Sequence, residues 1–216
     1  MPHYKETIEQ IRRFYNRDAD GRDLQRKPDW KVQERDRFLT TLHEGNCQRL
    51  LELGAGTGQD SLFFQDNGLD VMATDVSPAM VEYCKSKGLN ALEMDFLSLD
   101  FPAETFDALY AVNCLLHVPK LDFRRVMQKL HTLLKPGGVF YMGLYGGEDS
   151  EVIRNKELGG RLFISYSEAS LIDEVEQLFA IDYFNRIGFG SDWPQCFYSI
   201  ILIKPDAGGQ NGRPLG

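Results

Sequence analysis

Ten consecutive residues, Leu51-Glu52-Leu53-Gly54-Ala55-Gly56-Thr57-Gly58-Gln59-Asp60, join an apolar run to three glycines at two-residue spacing, with a carboxylate on either side. Glycine adopts positive φ without steric cost and lets bare main chain approach a ligand closely, so the spacing points to a small molecule held on backbone N–H groups. Seventeen residues beyond Gly58, the run Val71-Met72-Ala73-Thr74 ends at Asp75. A carboxylate at the tip of a neighbouring strand can accept hydrogen bonds from both hydroxyls of a ribose. The competing structural reading is that Asp75 caps the turn into Ser77.

The elements that would position these groups follow from periodicity. The run at 49–53 has strand length and the segment after the glycines is amphipathic, which places the glycines at a strand-to-helix corner, where open α/β sheets bind nucleotides. Further strands are expected at 69–74, 89–93, 106–112 and 139–144, with helices at 58–66 and from Ser77-Pro78, an N-cap followed by proline in the first turn. Phe123, Val126, Met127, Leu130, Leu133 and Leu134 mark another helix, stopped by Lys135-Pro136-Gly137-Gly138. Alternation of this kind implies a parallel sheet. Strands near 181–187 and 197–203, separated by Gly188, Gly190 and Pro194, suit a terminal antiparallel hairpin.

Before the glycines, Tyr4, Ile8, Ile11 and Tyr15 recur at helical spacing, and the polar stretch Asn16-Arg17-Asp18-Ala19-Asp20-Gly21 is expected to break that helix. A second helix opens at Pro28-Asp29 and ends near Gly45. The polar stretch of about fifteen residues after Gly147 is expected to be a lid or substrate loop. Ser167 caps a helix carrying Leu171 and Val175. The sequence predicts one domain over 1–204, with an N-terminal helical lid over about 1–45, and a disordered Gly- and Pro-rich tail over 205–216.

A nicotinamide-binding corner reads G-x-G-x-x-G. Here the string is G-x-G-x-G, with Glu52 inside the strand two residues ahead. Taken with Asp75, Met94-Asp95-Phe96, Phe106-Asp107-Ala108-Leu109-Tyr110 and the Lys135-Pro136-Gly137-Gly138 stop, that string resembles class I S-adenosylmethionine-dependent methyltransferases over roughly residues 30–203. The resemblance implies a Rossmann-like α/β fold with a seven-stranded sheet in the order 3-2-1-4-5-7-6, the last strand antiparallel and helices on both faces. It implies S-adenosyl-L-methionine as cofactor and S-adenosyl-L-homocysteine as product. Glu52, Gly54, Ala55, Gly56 and Gly58 would line the methionine end, Asp75 the ribose, Val76 and Met80 a flank of the adenine. Asp95 would meet the adenine amino group, with the Phe96 backbone beside it, and Asn113 would hold the cofactor's amino group through its carbonyl. Asp60 is explained equally by the helix dipole.

Methyl transfer from a sulfonium needs alignment and exclusion of water more than acid or base. A protonated oxygen or nitrogen acceptor still gains from a base, and His117 falls where the fourth strand of such enzymes opens into the active site. The alternative is a histidine that packs its loop and bonds to backbone. His43 and His131 occupy surface or helix positions. Tyr15, Trp30, Tyr145, Phe163, Tyr166 and Trp193 are the aromatic candidates for substrate contact, Tyr15 on the lid above all. The strand end Asn113-Cys114-Leu115-Leu116 lacks the [DN]-P-P-[FY] pattern of enzymes that methylate amide or exocyclic base nitrogens.

Charge and composition narrow the partners. A net charge of -8 and a pI near 5.1 disfavour nucleic acid, whose phosphates demand clustered Lys and Arg. Cys47, Cys84, Cys114 and Cys196 form no C-x-x-C pair, and no metal site is expected. With no apolar run long enough for a membrane and no signal-peptide pattern, the expectation is a cytoplasmic enzyme acting on an oxygen or nitrogen of a small-molecule metabolite, with transfer to carbon left open. Its oligomeric state is left open. Two alternatives stand: a protein or tRNA methyltransferase working with a partner subunit, and a cofactor-binding scaffold without turnover.

Overall fold

The computed structural model describes residues 4–154 and 160–206. Two helices, α1 (Tyr4–Asp23) and α2 (Asp29–Glu44), precede β1 (Arg49–Leu53), α3 (Gln59–Asp66), β2 (Asp70–Asp75), α4 (Pro78–Ser86), β3 (Asn90–Glu93) and β4 (Phe106–Val112). A single 3-10 turn (Leu115–His117) leads to α5 (Lys120–Leu133) and β5 (Leu134–Gly146). The chain continues through β6 (Ser150–Arg154), β7 (Arg161–Ser165), α6 (Glu168–Glu176), β8 (Ala180–Gly188) and β9 (Cys196–Ile203).

The main sheet runs β3-β2-β1-β4-β5-β9-β8. Pairings from β3 through β5 are parallel, whereas β9 lies antiparallel to both β5 and β8. Counting only strands of this sheet, that is the 3-2-1-4-5-7-6 order expected from the sequence. The order reverses between β1 and β4, and the crevice at such a switch point is where open α/β sheets hold ligands.

Alternation along the strands divides the core between the two faces. Leu51 and Leu53 of β1 join Phe123, Val126, Met127 and Leu130 of α5 on one side. Leu50 joins Phe38 and Leu42 of α2 and Phe64 of α3 on the other. Phe38 is fully buried, its ring 5.3 Å from Tyr141 and 5.7 Å from Tyr110. Glu52 shares the face of Leu50, which aims a carboxylate into an otherwise apolar layer.

Two expectations are corrected. The polar stretch Asn16 to Gly21 does not break α1, which continues to Asp23. Its polar side chains are satisfied across the interface with α4: Asn16 Oδ1 accepts from Ser77 Oγ at 2.6 Å and from the Ala79 N–H at 3.2 Å, and Tyr83 donates to Asp20. Ala19 is buried, and an Asp18–Arg22 pair spans one turn. The stretch after Gly147 is not a simple loop but a two-stranded antiparallel ribbon, β6–β7, registered from Ser150 opposite Ser165 to Arg154 opposite Arg161. Residues 155–159 of that stretch, and 207–216 of the expected tail, lie outside the described residues.

Candidate active site

The turn after β1 is shaped by three glycines with positive φ, Gly54 (61°), Gly56 (55°) and Gly58 (79°), for two separate reasons. A Cβ on Gly54 would stand 2.4 Å from Cys114 Cβ, and one on Gly58 would stand 2.6 Å from Leu89 Cδ1, so both are glycine because the protein packs against them. A Cβ on Gly56 would meet nothing within 4 Å. Gly56 lines a cavity of about 450 Å3 above the carboxyl ends of β1, β2 and β4, so the space over its main chain is open to a ligand.

Ten of the residues assigned to the cofactor line that cavity: Glu52, Gly54, Ala55, Gly56, Asp75, Val76, Met80, Asp95, Phe96 and Asn113. Gly58 does not, and serves as the N-cap of α3. Tyr15, His117 and Tyr145 line it too. Trp30, Tyr166 and Trp193 do not. Trp30 packs on Phe197 at 4.8 Å and Trp193 on Phe163 at 5.2 Å, while Tyr166 is buried against Phe123.

Asp75 is both cap and cavity wall. Its Oδ1 accepts the Ser77 N–H and its Oδ2 accepts the Gly56 N–H, each at 2.9 Å. Burial lifts its pKa to about 6 against the pull of those donors. Glu52 is pushed up strongly, first by burial and then by the nearby Asp60, while Ser61 donates a short hydrogen bond to it. Asp60 is itself met by Arg35 at 3.3 Å and Lys27 at 3.4 Å. Asp95 is largely engaged locally: Oδ1 accepts from Tyr4 and from the Leu97 and Ser98 N–H groups, and Oδ2 from Ser98 Oγ. Asn113 holds a positive φ of 54°, and its side-chain Oδ1 is buried with no hydrogen-bond partner among the described residues. An orphaned acceptor at the cavity wall is a place for a ligand donor.

Three elements meet at another wall of the cavity, where Tyr15 packs against the Ile8, Ile11 and Val76 cluster. Tyr15 of α1 lies 3.1 Å from His117 Nε2, and Arg161 of β7 donates to the Tyr15 oxygen at 3.1 Å. His117 Nδ1 is 2.6 Å from the Leu162 carbonyl, which can only accept, so Nδ1 carries the proton. Burial drops the His117 pKa to about 4, so at neutral pH the ring is uncharged and its bare Nε2 accepts from the Tyr15 hydroxyl. Burial also raises the Tyr15 pKa, opposed by Arg161 and Arg22. The arrangement presents a phenol oxygen fixed between a cation and a neutral imidazole.

Sequence reasoning missed the cationic wall. Arg22, Arg26, Lys27 and Lys31, from the end of α1 to the first turn of α2, all face the cavity. Their clustering within ten residues was visible, but nothing in periodicity says that the α1–α2 connection crosses the ligand space. Ile8 and Ile11 were assigned to a lid helix, and they pack on Val76 beside the expected adenine position.

Residues 50–138 match the family described as methyltransferase domain. Sterol 24-C-methyltransferase ERG6B of Gibberella zeae is 29% identical over 145 residues, covering 62% of this chain and 36% of that protein. Glycine N-methyltransferase of Mus musculus is 27% identical over 122 residues, covering 47% of this chain and 42% of its own. The chain therefore matches less than half the length of these curated relatives. Among solved structures, Burkholderia thailandensis 1,6-didemethyltoxoflavin-N1-methyltransferase, with 1,6-didemethyltoxoflavin and S-adenosylhomocysteine bound, aligns with a TM-score of 0.73 at 20% identity, over 95% of this chain and 92% of that one. N-methyltransferase NodS of Bradyrhizobium japonicum, in complex with S-adenosylhomocysteine, aligns at 0.67 and 17% identity, over 93% and 99%.

Proposed function

We propose, from the premise that this chain carries the class I S-adenosylmethionine-dependent methyltransferase fold with a methyltransferase-domain sequence over residues 50–138, that it transfers a methyl group to an oxygen or nitrogen of a small molecule. The observation that carries the reading is the convergence of Asp75, the open main chain of Gly56 and the unpartnered Asn113 Oδ1 on one cavity at the sheet's switch point. Each matches a different part of the cofactor: sugar hydroxyls for the carboxylate, close van der Waals contact for the glycine, an amino group for the amide oxygen or the carbonyl beside it.

S-Adenosylmethionine, when bound, supplies a methyl carbon activated by a positively charged sulfur, and S-adenosylhomocysteine is the product. The protein's part is to hold, align and dry the site. Asp75 binds and orients the nucleoside, with its own position fixed by the Gly56 and Ser77 N–H groups. Val76, Ile8 and Ile11 exclude water from one flank. Tyr15 closes the acceptor end, and its oxygen retains a lone pair that can accept from an incoming O–H or N–H group. His117 is not free to act directly, because both ring nitrogens are engaged; its role is to fix the Tyr15 hydroxyl by accepting its hydrogen bond.

Thermal shift tests the reading. S-Adenosylhomocysteine at 100 times its Kd adds about 2.7 kcal/mol, which for a chain of this size is a rise of roughly 5 to 10 °C in Tm. NAD is expected to give none. A shift with NAD alone overturns the assignment, and binding without turnover against a panel of oxygen and nitrogen acceptors favours the scaffold alternative.

A further inference from the structure

Lys31 lies in the first turn of α2 and lines the cavity, yet among the described residues no carboxylate stands within ion-pair distance of it. Its ammonium lies 4.9 Å from the Tyr145 ring centre, 5.0 Å from that of Phe197 and 5.2 Å from that of Trp30. Among the described residues its polar contact is a long 3.4 Å hydrogen bond to the Tyr145 hydroxyl. Aromatic faces attract a desolvated cation but neutralise none of its charge, as a carboxylate would. Burial, Lys27 and Arg22 oppose its charge, and the more distant Asp60 offsets them only in part. Nearby, Arg26 reaches the cavity from the exposed α1–α2 connection, also without a carboxylate partner among the described residues.

The position of this amine decides what it is for. Tyr145 lies next to the end of β5 and Phe197 next to the start of β9, so Lys31 stands on the far side of β4 from β2, which carries Asp75. The cation beside the glycine turn is a different one: Lys27 donates to Gln59 at 2.9 Å and sits 3.4 Å from Asp60, both in the first turn of α3.

Resting on the methyltransferase reading, we infer that the methyl acceptor is an anion, a carboxylate or similar oxyanion, seated on Lys31 with its apolar body against Tyr145. An anion there supplies a counter-charge and seats the acceptor against Tyr145, on the far side of β4 from the strand that carries the ribose carboxylate. The other source of the same chemistry is the cofactor's own carboxylate, and the test separates the two.

With the protein saturated by S-adenosylhomocysteine, benzoate and its neutral isostere benzamide are titrated by calorimetry against wild type and Lys31→Met, which keeps the stem and removes the charge. The expected result is benzoate binding at least roughly tenfold tighter than benzamide in wild type, the size of one charge-assisted hydrogen bond. That preference is lost in Lys31→Met, while S-adenosylhomocysteine affinity stays within about twofold and Tm does not fall. Equal binding of benzoate and benzamide, or of neither, by loaded wild type overturns the inference. So does a Lys31→Met variant that loses S-adenosylhomocysteine and keeps the benzoate preference, because Lys31 then serves the cofactor. Failure of wild type to bind S-adenosylhomocysteine at all is a separate result, which removes the methyltransferase reading and this inference with it.

Discussion

Asp75 shows how one side chain carries both local structure and ligand chemistry. Asp75→Ala removes one or two charge-assisted hydrogen bonds to a ribose and is expected to weaken S-adenosylhomocysteine by about 2 to 4 kcal/mol in calorimetry. Its pH dependence has a definite sign. The ionised carboxylate is the better acceptor for sugar hydroxyls, so affinity declines as pH falls through about 6, and Asp75→Asn flattens that profile. Stability runs the other way: the folded carboxyl holds its proton more tightly than its ordinary value of 3.8, so ionisation subtracts from stability as pH rises from there to about 6. Tyr15→Phe strands the His117 Nε2 and the Arg161 donor together, and is expected to cost about 1 to 3 kcal/mol of stability in denaturant titration. A base role for His117 was suggested by its place in the sequence; no sequence signal showed that Tyr15 would stand in front of it, 102 positions away.

At the scale of elements, the glycine turn separates packing from binding. Gly54→Ala drives a methyl group into Cys114 and is expected to lower stability by about 1 to 3 kcal/mol. Gly56→Ala meets no protein atom, so its cost to folding is limited to a positive φ, about 1 kcal/mol, while S-adenosylhomocysteine affinity falls by a larger amount. Thermal melts with and without the nucleoside read both, and equal loss of stability and affinity in the two variants would sink this division. The corner, the Ser77 N-cap and the terminal hairpin were legible because local chemistry fixes each one. The continuation of α1 through Asn16 to Gly21 was not, since its polar residues are matched by partners on α4 more than sixty positions away. The β6–β7 ribbon was half-visible: Leu162-Phe163-Ile164 is a short apolar run of strand type, but β6 lies in a polar stretch that reads as a loop.

For the molecule as a whole, the order of the sheet was accessible because right-handed βαβ crossovers leave few arrangements for such an alternation, whereas the attachment of α2 was not. Glu34, buried on α2, accepts from Asn185 at 2.7 Å, Ser199 at 2.6 Å and Tyr183 at 3.2 Å, tying the helix to the β8–β9 edge. Glu34→Ala leaves these donors without an acceptor and is expected to lower stability by about 1 to 3 kcal/mol, or roughly 2 to 4 °C in Tm per kcal/mol. An unchanged melt would mean that the apolar contacts of Phe38 and Leu42 alone seat the helix.

The junction of Tyr15 with His117 and Arg161 has a kinetic corollary. Swinging α1 off this wall of the crevice requires the phenol to give up both neighbours and Ile8 and Ile11 to peel off Val76. Under the proposed function, departure of the spent nucleoside is expected to be slower than the carbon-transfer step, so that loosening that junction speeds steady-state throughput even as it weakens retention.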